Sequence, residues 1–233
     1  MVGMTLLSLL APAALVAFAI FAFSQKGPRP DAVKFVPWVG RVMMVGAAAL
    51  TGFLAYSMMT PGAVTMSGFF LIDLVSVPLI LLVSVIGAIL LGFSRDYLDG
   101  EERQGPFLGW MSLTLASVLM LVSSGHLLLT TLMWISTSVC LYRLLTFYAE
   151  RRGTRRMGRK NLVCEVISNG ALIGAMIILW ASFGTGSVQD ILASTRAGDL
   201  PALTGLAAAL LAIAAITSVT QPWKGNCADL MMA

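Results

Sequence analysis

Arg143, Glu165 and Asn169 stand inside long apolar runs, where an ionisable or amide group is costly to bury and so marks the first place to look for chemistry. Arg143 and Glu165 each lie about one turn inside the facing ends of consecutive runs, so two antiparallel helices bring them to similar depth as a buried ion pair. Asn169, one turn past Glu165 on the same helical face, extends that polar line. The competing reading has Arg143 reaching back to a basic surface and Glu165 capping the start of its helix.

Four further positions suit ion passage. Asp73 falls in the first turn of an apolar run, where the helix dipole favours a carboxylate, and structural capping is the alternative role. His126 is the only histidine and occupies a tight turn between two runs, where a proton acceptor meets water; an interfacial histidine with no such task is the alternative. Thr217 and Gln221 belong to TSVTQP at 217–222, which interrupts an apolar helix with hydroxyls, an amide and a proline. Proline removes a backbone donor and disfavours helix before it, so the helix is expected to end or break there. Broken helices at membrane depth line ion sites, although an ordinary terminus leaves the same pattern. Arg41, one turn into its run, reads as an arginine reaching back to water.

The elements that must position these groups are transmembrane helices. Of the 233 residues 58% are hydrophobic and 11% charged, far from the roughly one-quarter charged residues of a water-soluble domain. Apolar runs lie near 4–23, 38–59, 70–93, 107–123, 127–148, 162–183 and 203–220, each close to the ~20 residues that cross a bilayer. They are continuous rather than alternating, which selects helices over a barrel. The fold class is therefore all-α, a polytopic transmembrane bundle of about seven spans. Lys26, Arg29 and Lys34, then Arg95 and Arg103, then Arg151, Arg152, Arg155, Arg156, Arg159 and Lys160 fill the odd-numbered connections. The even-numbered connections hold one basic residue, Arg196, so the N-terminus is expected outside and the C-terminus in the cytoplasm. No positive charge precedes the first run and three follow it, which reads as a retained helix rather than a signal peptide.

The net charge of +4 is thus topological and does not point to nucleic acid. Short connections predict that sequential helices pack as antiparallel neighbours. Gly205 and alanines 207–209, 212, 214 and 215 permit close approach of the last span, most simply as a packing face. Cys140, Cys164 and Cys227 form no CxxC pair and indicate neither a disulfide framework nor a metal site. No Gly-rich nucleotide loop, haem histidine pair, metal motif or GxSxG elbow is present, so no cofactor is expected and the chain does not read as an enzyme acting alone.

Several strings carry a family likeness: IDLVSVPLILLVSVIG at 72–87, SRDYLDGEERQGPFLGW at 94–110, SSGHLLLTTLMWISTSVCLYRLLTFY at 123–148, NLVCEVISNGALIG at 161–174 and FGT at 183–185. From Phe70 to Pro222 the chain resembles the N-terminal half of the large antiporter-like membrane proteins: subunit L of respiratory complex I, the Mrp antiporter large subunit, and DabB of inorganic-carbon accumulation. The strings RDYLDGEERQGPFLGW and MWISTSVCLYRLLTFY look more like DabB. The departures matter as much. The family's glutamate after its fifth-span tryptophan corresponds to Ile135, after Trp134. Its RxGD corresponds to Val166, Ser168 and Asn169, and the lysine of its KSAQxP pattern to Thr217. Neither Ile135 nor Thr217 ionises near neutral pH, so the family's usual relay is not intact. DabB-like proteins share the loss of the acid but not that of the lysine.

The resemblance implies two N-terminal transmembrane helices at 1–62, an antiporter-like region at 63–222 and a cytoplasmic tail at 223–233. The tail KGNCADLMMA continues no recognisable helix, which reads as a split or shortened paralogue or a fragment. It further implies a multi-pass protein of the bacterial inner membrane that works beside a larger peripheral or membrane partner, a DabA-like, carbonic-anhydrase-related subunit, in proton-coupled uptake of inorganic carbon. The alternatives are a non-pumping scaffold of a respiratory or photosynthetic complex and an accessory NADH–quinone oxidoreductase subunit.

Overall fold

A computed structural model describes residues 2–25, 31–59, 70–71, 76–147, 152–197 and 201–219. Eight helices run through them: α1 (Val2–Ser24), α2 (Ala32–Met59), α3 (Ser76–Tyr97), α4 (Gln104–Val122), α5 (Leu127–Leu145), α6 (Arg152–Phe183), α7 (Val188–Arg196) and α8 (Thr204–Val219). Five of them, α2 to α6, are long and apolar enough to cross a membrane, and stretches 9–24 and 204–218 are shorter apolar helices. Each of the seven apolar runs contributes a helix, but the run at 70–93 does so only from Ser76, after Phe70 has bridged Ser124, and α7 is an addition.

Where helices exceed or fall outside the apolar runs, the reason is that hydropathy marks membrane depth and not helix length. α6 starts about ten residues before its run because arginine, lysine and methionine are good helix formers in water as well. α7 occupies a stretch that reads as a connection, and with 9 residues it is too short for a window of spanning length. Its Val188, Ile191 and Leu192 nevertheless share one side, with Asp190 in the first turn and Arg196 in the last, both favourable to the helix dipole.

The helices fall into two compact units, Met1–Cys140 and Leu141–Ala233. In the first, α1 packs on α2 and α4, α2 on α3, and α3 on α4. The α1–α4 contact joins helices distant in sequence, so sequential neighbours alone do not describe the packing. Each helix buries one stripe at helical spacing, such as Leu15, Phe18 and Ala22 of α1, Val36, Val39 and Met43 of α2, and Val77, Ile80, Ser84, Gly87 and Leu91 of α3. Leu108, Ala116 and Leu119 of α4 close this core. The α3–α4 turn passes through Gly100 at a φ of +86°, a conformation that suits glycine. Buried Gln104 then clasps the turn by donating its Nε2 to the Arg95 carbonyl at 2.8 Å.

The α4–α5 turn is tied back to the chain ahead of α3. Phe70 bridges Ser124, and Leu71 N–H donates to the Ser123 carbonyl at 3.0 Å. Gly125 sits so close that an added Cβ comes within 2.8 Å of Leu71 Cβ and 3.0 Å of its nitrogen. Backbone leaves no flexible side-chain end to yield. Gly125→Ala is therefore expected to destabilise by about 1–3 kcal/mol in detergent thermal unfolding. Gly92→Ala, which meets nothing within 4 Å, is the control that leaves the midpoint near the parent value.

Candidate functional site

In the second unit α6 packs on α8, and the buried side of α6 reads Asn161, Glu165, Ser168, Leu172 and Ala175. The alternation of four- and three-residue steps keeps them on one helical face. Opposite them α8 buries Ala207 and Ala214. Two contacts fix the pairing: Ser168 Oγ donates to the Ala214 carbonyl at 2.9 Å, and a Cβ added at Gly174 lies 3.6 Å from Leu210. Moving up α6 means moving down α8, so the pair is antiparallel and Thr217 stands level with Glu165. Small residues on α8 allow this close approach.

Two polar atoms on this face are unusual. Glu165 is 8% exposed, and its Oε2 has no hydrogen-bond partner among the described residues. Asn161, one turn away and 3% exposed, has an Nδ2 in the same condition. Buried polar groups are nearly always paired, and each exception calls for a physical account. The hydroxyls beside them are differently placed. Ser168 gives its proton to Ala214 O, and Thr217 Oγ1 donates back to Ile213 O at 2.7 Å, with Ala214 O at 3.2 Å. Both oxygens therefore keep acceptor capacity.

The other sequence candidates distribute as follows. Arg143 is exposed in the last turn of α5. The neighbouring Thr146 and Tyr142 meet α6 at buried Gly158, where an added Cβ lies 2.6 Å from Thr146 Cγ2 and 3.9 Å from Tyr142 Cε2. Among the described residues, ion pairs join Lys34 to Asp31 and Arg95 to Asp96. Asn169 is half-buried, whereas the fully buried neighbour on the α8 side is Ser168. α8 continues as helix through Thr217 to Val219, so no break occurs at Thr217 itself. Asp73, Gln221, Pro222 and Cys227 lie outside the described residues.

In the first unit His126 stands just before α5. Its Nδ1 accepts the Leu128 N–H at 3.2 Å, and its carbonyl accepts from Thr130 N–H at 3.0 Å, so it helps to start the helix. A hydroxyl seam joins α4 to α5: Ser117 meets Ser136 at 2.9 Å and Ser124 meets Thr130 at 2.8 Å. The Cys140 thiol has hydrogen bonds with Ser136 and Thr114. Ile135 is half-buried on α5. Sequence reasoning singled out neither Asn161 nor this seam, and it noted Ser168 only as a replaced family position. The available signal was the spacing 161, 165, 168, 172, 175, which marks a face without saying what covers it.

No protein-family model matches the chain. It is 30% identical over 196 residues to a protein of Halothiobacillus neapolitanus described as probable inorganic carbon transporter subunit DabB2, which covers 82% of this chain and 33% of the relative. It is 27% identical over 203 residues to NADH-quinone oxidoreductase subunit L of Escherichia coli, covering 81% of this chain and 33% of that one. Among solved structures, a chain of the Mrp complex from Dietzia sp. DQ12-45-1b matches 92% of this chain and 23% of its own length, with a TM-score of 0.66 and 22% identity. That likeness carries the fold alone. The chain spans about a third of the length of these two curated relatives.

Proposed function

The chain is homologous to part of the antiporter-like membrane subunits, a multi-pass kind of bacterial membrane protein, and on that premise we propose that it serves as a membrane subunit of an ion-coupled transport complex. The role proposed is of the DabB type: one relative is described as a probable inorganic carbon transporter subunit, and the resemblance of the sequence implies that ion movement, here of protons, drives that uptake by a larger peripheral partner related to carbonic anhydrase. Under this reading the N-terminus lies outside and the connections rich in lysine and arginine face the cytoplasm, where the partner docks. The chain is not an enzyme by itself. The observation that carries the proposal is Glu165, a carboxylic side chain buried between two helices with an oxygen unpartnered among the described residues, since such a group is retained at a cost in stability. Thr217 and Asn169 adjoin it along α8 and α6. Arg143 lies nearer the end of α5; the sequence offers the polar stretch Thr217–Gln221, His126 for an outer mouth and Asp73 as a further ion-path candidate.

A second reading, a scaffold that moves no ions, draws on Ile135 and Thr217, which stand where the resembling family has a titrating acid and lysine. The relatives named as NADH-quinone oxidoreductase subunit L support a variant of it, an accessory subunit of a quinone-reducing complex. Affinity purification of the tagged native protein in mild detergent, with mass spectrometry of what accompanies it, separates them. Recovery of a large soluble carbonic-anhydrase-like protein is the expected result. Recovery of respiratory or photosynthetic membrane subunits in its place overturns the inorganic-carbon assignment.

A further inference from the structure

We propose that Glu165 is the loading site for one small monovalent cation, a proton or a sodium ion, between α6 and α8, with Asn161, Ser168 and Thr217 as its polar wall. The inference rests on the ion-coupled reading above and narrows it to one group. Glu165 lies within the apolar stretch Asn161–Phe183, is 8% exposed, and has an Oε2 with no hydrogen-bond partner among the described residues. Asn161 Nδ2 is also buried and unpartnered one turn away on the same face, a donor that can orient the carboxyl oxygen but does not itself ligate a cation. A carboxyl kept only for packing is normally saturated by hydrogen bonds, and a bare carboxylate in hydrocarbon is driven to take up a positive charge.

Nothing on the packed helix provides that charge permanently. From Thr204 to Val219, α8 contains no titratable side chain. On α6 the nearest such neighbour is the half-buried Cys164, and α5 contributes Tyr142, which reaches Gly158 about two turns away, and the exposed Arg143. Arg159 and Lys160 of α6 stand ahead of the apolar stretch that begins at Asn161, which leaves an exchangeable ion to meet the charge within that stretch. Its size and valence follow from the donors. One carboxylate matches a single positive charge, whereas a divalent ion leaves a net charge buried. Ser168 Oγ and Thr217 Oγ1 have committed their protons to backbone carbonyls and offer oxygen lone pairs, the ligand type of a proton or an alkali cation. The wall includes Thr217, which stands where the resembling family has its lysine, so the acid here is on α6 and the surface that α8 turns to it is uncharged.

The test applies a hydrophobic carbodiimide to native membranes that contain the full chain and its complex, and locates the adduct by peptide mass spectrometry. The reagent reacts with a carboxylic acid that holds its proton, in apolar surroundings. At neutral pH an adduct is expected on Glu165 and not on the exposed Glu101 and Glu102. If the ion is a proton, the labelling rate falls at least about fivefold as the pH is raised and ignores sodium. If it is sodium, replacing choline by sodium at fixed pH slows labelling by a similar factor, and Ser168→Ala weakens that protection. Glu165→Gln removes the adduct in either case. Absence of an adduct on Glu165, or a rate that responds to neither pH nor sodium, overturns the proposal. Failure here leaves the co-purification result standing, and an unexpected set of co-purified proteins leaves the labelling result standing, so the two ideas fail separately.

Discussion

Glu165→Met unfolds at a higher temperature than the parent chain, by the equivalent of about 1–3 kcal/mol. Methionine approximates the volume of glutamate and fills the same space between α6 and α8, so packing changes little while an unpartnered carboxylic oxygen disappears. Glutamine, which keeps polar atoms in the same place, gives back much less. The comparison is made by thermal unfolding in one detergent at one pH, followed by loss of a fluorescent thiol reporter at half-buried Cys164. A gain in stability with loss of carbodiimide reactivity is the signature of a group held for use and not for structure. Destabilisation of similar size would mean that the carboxyl anchors the two helices, and the cation-loading assignment would lose its basis.

The largest loss is expected from Leu108→Ala, about 2–5 kcal/mol. Leu108 is fully buried on the α4 stripe and belongs to the cluster with Leu15 and Phe18 of α1, Met43 of α2 and Leu91 of α3. The change deletes most of an aliphatic side chain from a closed interface, and van der Waals packing is what holds helices together in lipid. Leu128→Ala on α5, where the side chain is exposed, serves as the control and is expected to shift stability by no more than about 0.5 kcal/mol. Equal shifts in the two variants would deny Leu108 its place in the core.

Much of this fold was legible in the sequence. Runs such as 107–123 announce α4 because hydrocarbon depth imposes a length and a composition, and both are visible residue by residue. The first ten residues of α6 were not legible, since arginine and lysine read as a loop to a hydropathy window while remaining good helix formers. α7 escaped because 9 residues with a few apolar positions look like any polar connection. The α1–α4 contact was hidden because lipid-facing and helix-facing sides of a span are both apolar, so no pattern names the partner. The same physics divides the site. Glu165 is conspicuous from its type alone, while Ser168 gains meaning only when α8 is seen to cover it and Asn161 only when it is seen to be buried.

α6 is one unbroken helix of 32 residues, about 48 Å at 1.5 Å per residue. The apolar stretch long enough to cross a membrane begins only at Asn161, so the first nine residues of the helix lie outside it. With no proline between Arg152 and Phe183, the helix has no joint at which a sideways pull on its overhang could be absorbed. The overhang is in effect a handle. A partner that binds it is expected to tilt the whole rod, and with it to change how tightly Glu165 is pressed against α8.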